Sequence, residues 1–431
     1  FYRIDESVAV EHILPLAEVN DDAASRAWEK ARKMSLKIRR DESGNGAIDA
    51  LLAEYTLSSE EGVVLMCLAE ALLRVPDKQT QDALISDKIS KGQWDSHIGS
   101  SDSLFVNASS WGLLVTGTMV DYADEREKDS FSLLKKVIGR LGEPVIRKAM
   151  NYAMQIMGEQ FVMGETIQDA TDHAAKKERQ GFVYSYDMLG EGARTMVDAE
   201  KYYKAYQVAI DAIGAVARAS GKNDPRKVPG ISVKLSAIHP RYEFAQKERV
   251  MAEAAPKLKA LCLQAKSYNI GLTVDAEESE RLDMSLDVIE AVFSDDELAG
   301  WNGFSMALQA YQKRAIFIVD WLRELTMRVD RKMMVRLVKG AYWDTQIKNS
   351  QKGGYQHFPV FTRKASTDVS YLACAKKLLE YRDTIFPQFA THNAYTVATI
   401  LELAGDDKTS FEFQCLYGMG GSLYDQVVTK E

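Results

Sequence analysis

The residues of this chain best suited to chemistry stand at the ends of short apolar runs. RLVKGAYWD (336–344) opens on Arg336, passes Lys339 and Gly340, and closes on Tyr342, Trp343 and Asp344. Other runs carry the same mark: Asp187 in FVYSYDML (182–189), Lys234 and Ser236 in GISVKLSAI (230–238), Asp275 in IGLTVDAE (270–277), Gln309 in GFSMALQAY (303–311), Thr391, His392 and Asn393 in FPQFATHN (386–393), and Gln414 in FEFQCLYGM (411–419). Cations (Lys234, Arg336, Lys339), anions (Asp187, Asp275) and neutral hydrogen-bonding groups therefore gather in one class of position. Such a set suits an anionic, polyphosphate-bearing ligand, with a carboxylate left to hold an amine.

Other chemistries compete for the same residues. His392 with Asp275 and Glu277 offers metal-ligand types, yet the six histidines are scattered and form no HxH or HExxH pattern. Lys234 in a desolvated strand suits a Schiff base, or simple pairing with Asp275 on a neighbouring strand. Tyr342 and Trp343 are placed either to cover a planar ligand or to pack a lip. GMGGS (418–422) reads as a tight turn or a phosphate cradle. In VDAEESERLD (274–283), the charges after Glu277 read as helix-capping and solvent-facing, which leaves Asp275 as the one suited to a pocket.

The seven runs alternate with amphipathic stretches at 198–219, 245–266, 285–293, 314–329 and 368–381, the order expected of a parallel sheet with helical crossovers. Polar residues at the end of nearly every run favour a (β/α)8 barrel, whose rim collects side chains from many strands, over an open doubly wound sheet. The fold expected is α/β, a distorted (β/α)8 TIM barrel preceded by an all-helical domain. A seventh run followed by SLYDQVVTKE and the end of the chain leaves the eighth strand and helix outside it: truncated, disordered or supplied from elsewhere. The expected division is a helical arm at 1–50, a helical domain at 51–165 and the barrel at 166–431. In the helical domain, Ser58-Ser59-Glu60-Glu61 reads as a capping box, Pro76 as a helix stop, and Met150, Met154 and Met157 as one helix face.

Composition narrows the classes. With 46% hydrophobic and 27% charged residues among 431, the chain is an ordinary globular one. A net charge of −8 without a long basic cluster argues against nucleic acid binding through this segment. The longest apolar stretch, near 63–73, is broken by Glu70 and is too short to span a bilayer. Four cysteines without a CxxC pair fit a reducing cytoplasm. A start on Phe1 suggests a piece of a longer protein.

GISVKLSAIHPRY, VDAEESERLDMSLDVIE, QAYQKR, RLVKGAYWD, TRKASTDVSYLACAKKLL, PQFATHNA and FEFQCLYGMG, in this order, closely resemble the proline dehydrogenase domain of the bifunctional bacterial flavoenzyme family proline utilization A. The resemblance covers about residues 55–431. It implies FAD at the strand C-termini, oxidation of L-proline to Δ1-pyrroline-5-carboxylate, and electrons passed to membrane quinone from a cytoplasmic protein in peripheral contact with the membrane. The cofactor shell it implies is Gln309, Arg336, Val338, Lys339, Gly340, Ala341, Trp343, Thr362, Lys364, Thr367, Thr391, His392, Asn393, Gln414 and Cys415, with Arg336 near the flavin N5 and Gln309 at the isoalloxazine edge. Lys234 would meet the proline carboxylate, Asp275 would organise the amine side, and Leu337 and Tyr342 would pack the ring; Lys234, Asp275, Arg336 and Tyr342 are the catalytic set. The family's paired arginines for the carboxylate, and its aldehyde dehydrogenase domain, are not found in this sequence.

Overall fold

The computed structural model describes residues 1–41, 80, 162–188 and 192–428. The capping box at 58–61, Pro76 and the methionine face at 150–157 lie outside them. The chain forms two compact units, one of residues 1–36, 166–416 and 420–431, the other of 37–165 and 417–419. The first unit carries the sheet.

The described elements run α1 (Glu6–Ile13), α2 (Asp21–Asp41), α3 (Ile167–Glu178), β1 (Ser185–Asp187), α4 (Met196–Ala219), β2 (Gly230–Val233), α5 (Leu235–Ile238), α6 (Lys247–Tyr268), β3 (Leu272–Val274), α7 (Leu282–Phe293), β4 (Phe304–Gln309), α8 (Ala315–Val329), β5 (Met333–Val338), α9 (Trp343–Lys352), α10 (Lys364–Glu380), β6 (Ile385–Ala390), α11 (Ala394–Ala404), β7 (Glu412–Gln414) and α12 (Gly421–Tyr424). All seven expected runs contain a strand. The strands pair in parallel and in sequence order, from β1 to β7. Every residue of β4 is buried, as befits a parallel strand covered on both faces.

Local chemistry sets the boundaries. Thr166–Asp169 and Thr195–Asp198 form capping boxes that start α3 and α4. Asn269 and Asp330, both left-handed, end α6 and α8 and turn the chain towards β3 and β5. β2 is shorter than its run: the chain leaves the ladder after Val233 and makes the single helical turn α5, so Lys234 sits at a strand-to-helix corner.

The sheet is curled. Arg336 of β5 bonds Ser185 of β1, Ser232 of β2, Thr273 of β3 and Gln414 of β7. In a flat sheet β1 and β5 would lie four spacings, roughly 19 Å, apart, beyond the reach of one arginine side chain. Among the described residues this is therefore a seven-stranded open barrel with its helices outside.

The N-terminal arm packs on this barrel. Arg26 and Lys30 of α2 pair with Glu402 of α11, and the Lys313 ammonium donates to the Ile4 carbonyl. Helix α10 has no capping side chain of its own. Instead the Glu6 carboxylate, 356 positions earlier, accepts from the Thr362 amide (2.8 Å) and hydroxyl (2.6 Å) and the Arg363 amide (3.3 Å). An anion at this end of a helix satisfies orphan donors and meets the helix dipole favourably. Glu6→Ala should therefore cost about 1 kcal/mol locally, read as faster hydrogen exchange at the Thr362 and Arg363 amides with exchange in α4 unchanged.

Candidate active site

Parallel register carries three charged side chains to one corner. Val233 pairs with Val274, so Lys234 and Asp275, the next residues on β2 and β3, emerge side by side, and Asp187 closes β1 beside Ser232. The Lys234 ammonium donates to Asp187 (2.9 and 3.1 Å) and to Asp275 Oδ2 (2.9 Å). The other Asp275 oxygen accepts from Arg336 Nη1 at 2.9 Å. Asp275 thus serves one cation per oxygen. The Lys234 and Asp275 side chains are only 9% and 12% exposed, where unpaired charge is costly, and the corner holds two charges of each sign. Burial, then the charge of Asp275, push the Asp187 carboxyl above the usual range, against the pull of Lys234 and Arg336. Two carboxylates around Lys234 make it a charge partner, which weakens the Schiff-base reading.

Glu277, considered from the sequence only as a metal-ligand type, joins this corner. It is buried, accepts from the Ser236 amide (3.1 Å) and the Arg281 guanidinium (2.6 Å), and burial raises its carboxyl. Its position two residues after Asp275 was the available signal. The Glu277 carbonyl accepts from the Gln309 amide group (2.8 Å), whose oxygen accepts from the Ala341 N–H (3.0 Å). Gln309 is 2% exposed with both ends engaged inside the protein. It braces the loop after β5 against the loop after β3. Lys234, Ser236, Tyr242, Glu277, Arg281 and Tyr342 line a cleft of about 360 Å³.

At β5 the two-residue period divides the motif. Arg336 lies inside the barrel, whereas Leu337, fully buried, falls on the opposite face. Val338 is half-buried and Ala341 exposed, and Lys339 pairs with Asp368, which also holds Lys364 (2.7 Å). Gly340 has φ +148°, and a Cβ there would lie 2.3 Å from the Tyr311 ring, so only glycine fits. Tyr342 precedes α9 at the cleft, and Trp343 is exposed with its indole N–H on the Phe361 carbonyl (2.9 Å).

The remaining candidates sit further round the rim. Thr362 is exposed and held by Glu6, and Thr367 is buried in the first turn of α10. Thr391 is buried, its carbonyl accepting from the Tyr424 hydroxyl at 2.6 Å. His392 Nε2 accepts from the Leu416 amide (3.0 Å), the role of a neutral ring, and burial lowers its pKa. A Cβ on Gly420 would lie 2.8 Å from the His392 ring, which gives this glycine of GMGGS a packing role. The Asn393 side chain caps α11 through the Thr396 amide (2.9 Å). Gln414 bonds Arg336 at 2.7 Å, and Cys415 is exposed. His392 is thus engaged with Leu416, while Asp275 and Glu277 hold cations. Among the described residues no three metal-ligating side chains cluster.

Residues 170–431 match the family model described as proline dehydrogenase. The chain belongs to the proline dehydrogenase family. Two further segments match models described as the proline utilization A proline dehydrogenase N-terminal domain (residues 1–39) and the DNA-binding domain of proline dehydrogenase (residues 47–161). Similar to this proline dehydrogenase family chain are the bifunctional protein PutA of Escherichia coli (53% identity over 100% of this chain and 32% of that protein) and of Rhizobium meliloti (48%, over 99% and 34%). The chain thus spans about a third of the length of these relatives. A crystal structure of a mutant of proline utilization A from Bradyrhizobium japonicum aligns with a TM-score of 0.73 at 45% identity, over 99% of this chain and 42% of that one.

The shared role of Asp275 has a measurable consequence. Asp275→Ala should destabilise the barrel by about 3 kcal/mol by leaving Arg336 short of its counter-charge, and Asp275→Ala/Arg336→Met should recover part of that loss. Urea unfolding followed by intrinsic fluorescence checks the order wild type, double variant, single variant; equal midpoints for the two variants would contradict it.

Proposed function

We propose that this chain oxidises L-proline to Δ1-pyrroline-5-carboxylate with FAD as cofactor, by hydride transfer to the flavin N5, and passes the electrons to a membrane quinone, the first step of proline catabolism to glutamate. The observation that carries this reading is the Lys234–Asp275–Arg336 cluster at the C-terminal ends of β2 and β3 and within β5, in a proline dehydrogenase family chain. The donor set fits FAD in kind. Arg336, Lys339 and Lys364 supply positive charge, and Thr362, His392, Gln414 and the exposed stretch at 340–341 supply hydrogen-bonding groups and open backbone. Val338, Trp343, Thr367, Thr391, Asn393 and Cys415 would complete the shell, while Gln309 would act through Ala341. When bound, FAD supplies an acceptor for the hydride.

The protein's part is positioning. The Lys234 ammonium binds the proline carboxylate, and Asp275 and Asp187 hold that ammonium at the mouth. Tyr342, beside Lys234 in the cleft, covers the ring and limits water. No nucleophile is required, because the bond broken is a carbon–hydrogen bond next to an amine whose lone pair assists.

The division at about residues 50 and 165 is our reading, supported by matched segments at 1–39, 47–161 and 170–431. The relatives are named bifunctional. We therefore assign this chain the proline-oxidising part, whose product passes to an aldehyde dehydrogenase domain of the parent chain. No helix among the described residues is long and apolar enough to cross a membrane; a cytoplasmic protein in peripheral contact with the membrane suits a quinone acceptor. Net charge alone spoke against nucleic acid binding, and the match of residues 47–161 to a DNA-binding model removes its force.

Lys234→Met should raise the half-saturating proline concentration at least about tenfold with flavin content per chain unchanged. Steady-state kinetics with a soluble quinone, beside flavin absorbance, check this. An unchanged proline dependence would exclude Lys234 from the carboxylate site.

A further inference from the structure

The guanidinium of Arg336 is held on several sides, but its Nε–H has one partner, the Gln414 side-chain oxygen at 2.7 Å. An amide can present either oxygen or nitrogen, so something must fix which end faces Arg336. That something lies deeper in the barrel. Glu412, two residues before Gln414 on β7, accepts from the Gln414 amide nitrogen at 2.8 Å. The same Glu412 oxygen accepts from the Gln388 amide nitrogen at 2.8 Å, and the Gln388 oxygen accepts from the Ser305 hydroxyl at 3.1 Å. Register places Arg336, Gln388 and Glu412 side by side on β5, β6 and β7.

Along both branches the hydrogen bonds run towards Glu412, and the Gln388 nitrogen also meets the Met334 sulfur at 3.8 Å. An oxygen that accepts two N–H groups carries no proton of its own, so both glutamines turn their nitrogens to Glu412 Oε1 and their oxygens away, one towards Arg336 and the other towards Ser305. We propose that Glu412 is a positioning residue for Arg336: it fixes the direction of the Gln414 amide and so the plane of the guanidinium. The proposal rests on the functional reading that puts Arg336 beside the redox cofactor. Burial raises the Glu412 carboxyl above the usual range, against the two amide donors and the charges of Arg336 and Arg226. Glu412 touches neither cofactor nor substrate in this scheme and acts through Gln414 alone.

The test uses the full chain with Glu412→Leu, which removes the acceptor, and Glu412→Gln, which keeps an oxygen in its place. Two readouts are needed: the Arg336 Nε–H resonance by nitrogen-15 NMR in flavin-free protein, identified by its loss in Arg336→Lys, and the anaerobic rate of flavin reduction by L-proline. In Glu412→Leu the resonance should disappear through solvent exchange. The reduction rate should fall about tenfold, with the half-saturating proline concentration within about twofold of wild type. Glu412→Gln should restore both. If Glu412→Leu does not fold, Glu412→Leu/Gln388→Leu, which also removes one of the orphaned donors, carries the same expectation. A resonance that persists in the leucine variant, or a glutamine variant no better than leucine, would overturn the proposal. If wild-type flavin is not reduced by proline, the functional reading fails, and the resonance alone still decides the role of Glu412.

Discussion

One side chain closes this structure electrostatically. Arg336 stands in the middle of β5 and reaches β1, β2, β3 and β7, so its bonds exist only if the sheet curls, and once they exist the curl is held. A buried guanidinium without partners would be prohibitive. Asp275 supplies the counter-charge, Lys234 balances the second oxygen of Asp275, and Asp187 balances Lys234. Each charge in the mouth is thereby conditional on the next, which makes the corner rigid and places a cation at the opening of the cleft.

The parts around it keep that mouth in register. Glu277 and Gln309 join α5 and the loops after β3 and β5. The arm does related work from outside: Glu6 supplies the cap that α10 lacks, on the segment proposed to hold the cofactor. Lys339 and Lys364 share Asp368, so positive charge on this rim is moderated before any ligand arrives.

The strands were legible because apolar β-branched and aromatic runs, punctuated by helix-length intervals, allow little else, and the polar residue near each end marked the rim. Lys234 and Asp275 were paired correctly from strand adjacency alone. A contiguous motif hides the alternation that sends Arg336 and Leu337 to opposite faces of β5. The bracing bonds of Gln309 left no signal, since a buried amide and an open one have the same letter. Glu6 left no signal, its partner being at the far end of the chain, and Glu412 gains meaning only once β5, β6 and β7 are laid side by side.

In the function proposed for it, this charged mouth holds proline against a flavin. The direct measurement is the visible spectrum of the purified chain, loaded with FAD, before and after anaerobic addition of L-proline. Flavin bands near ~450 nm that bleach with proline, and do not bleach in Asp275→Ala at the same flavin content, are the predicted result. Bound flavin that stays oxidised in the wild-type chain, or a chain that retains no flavin, would contradict it.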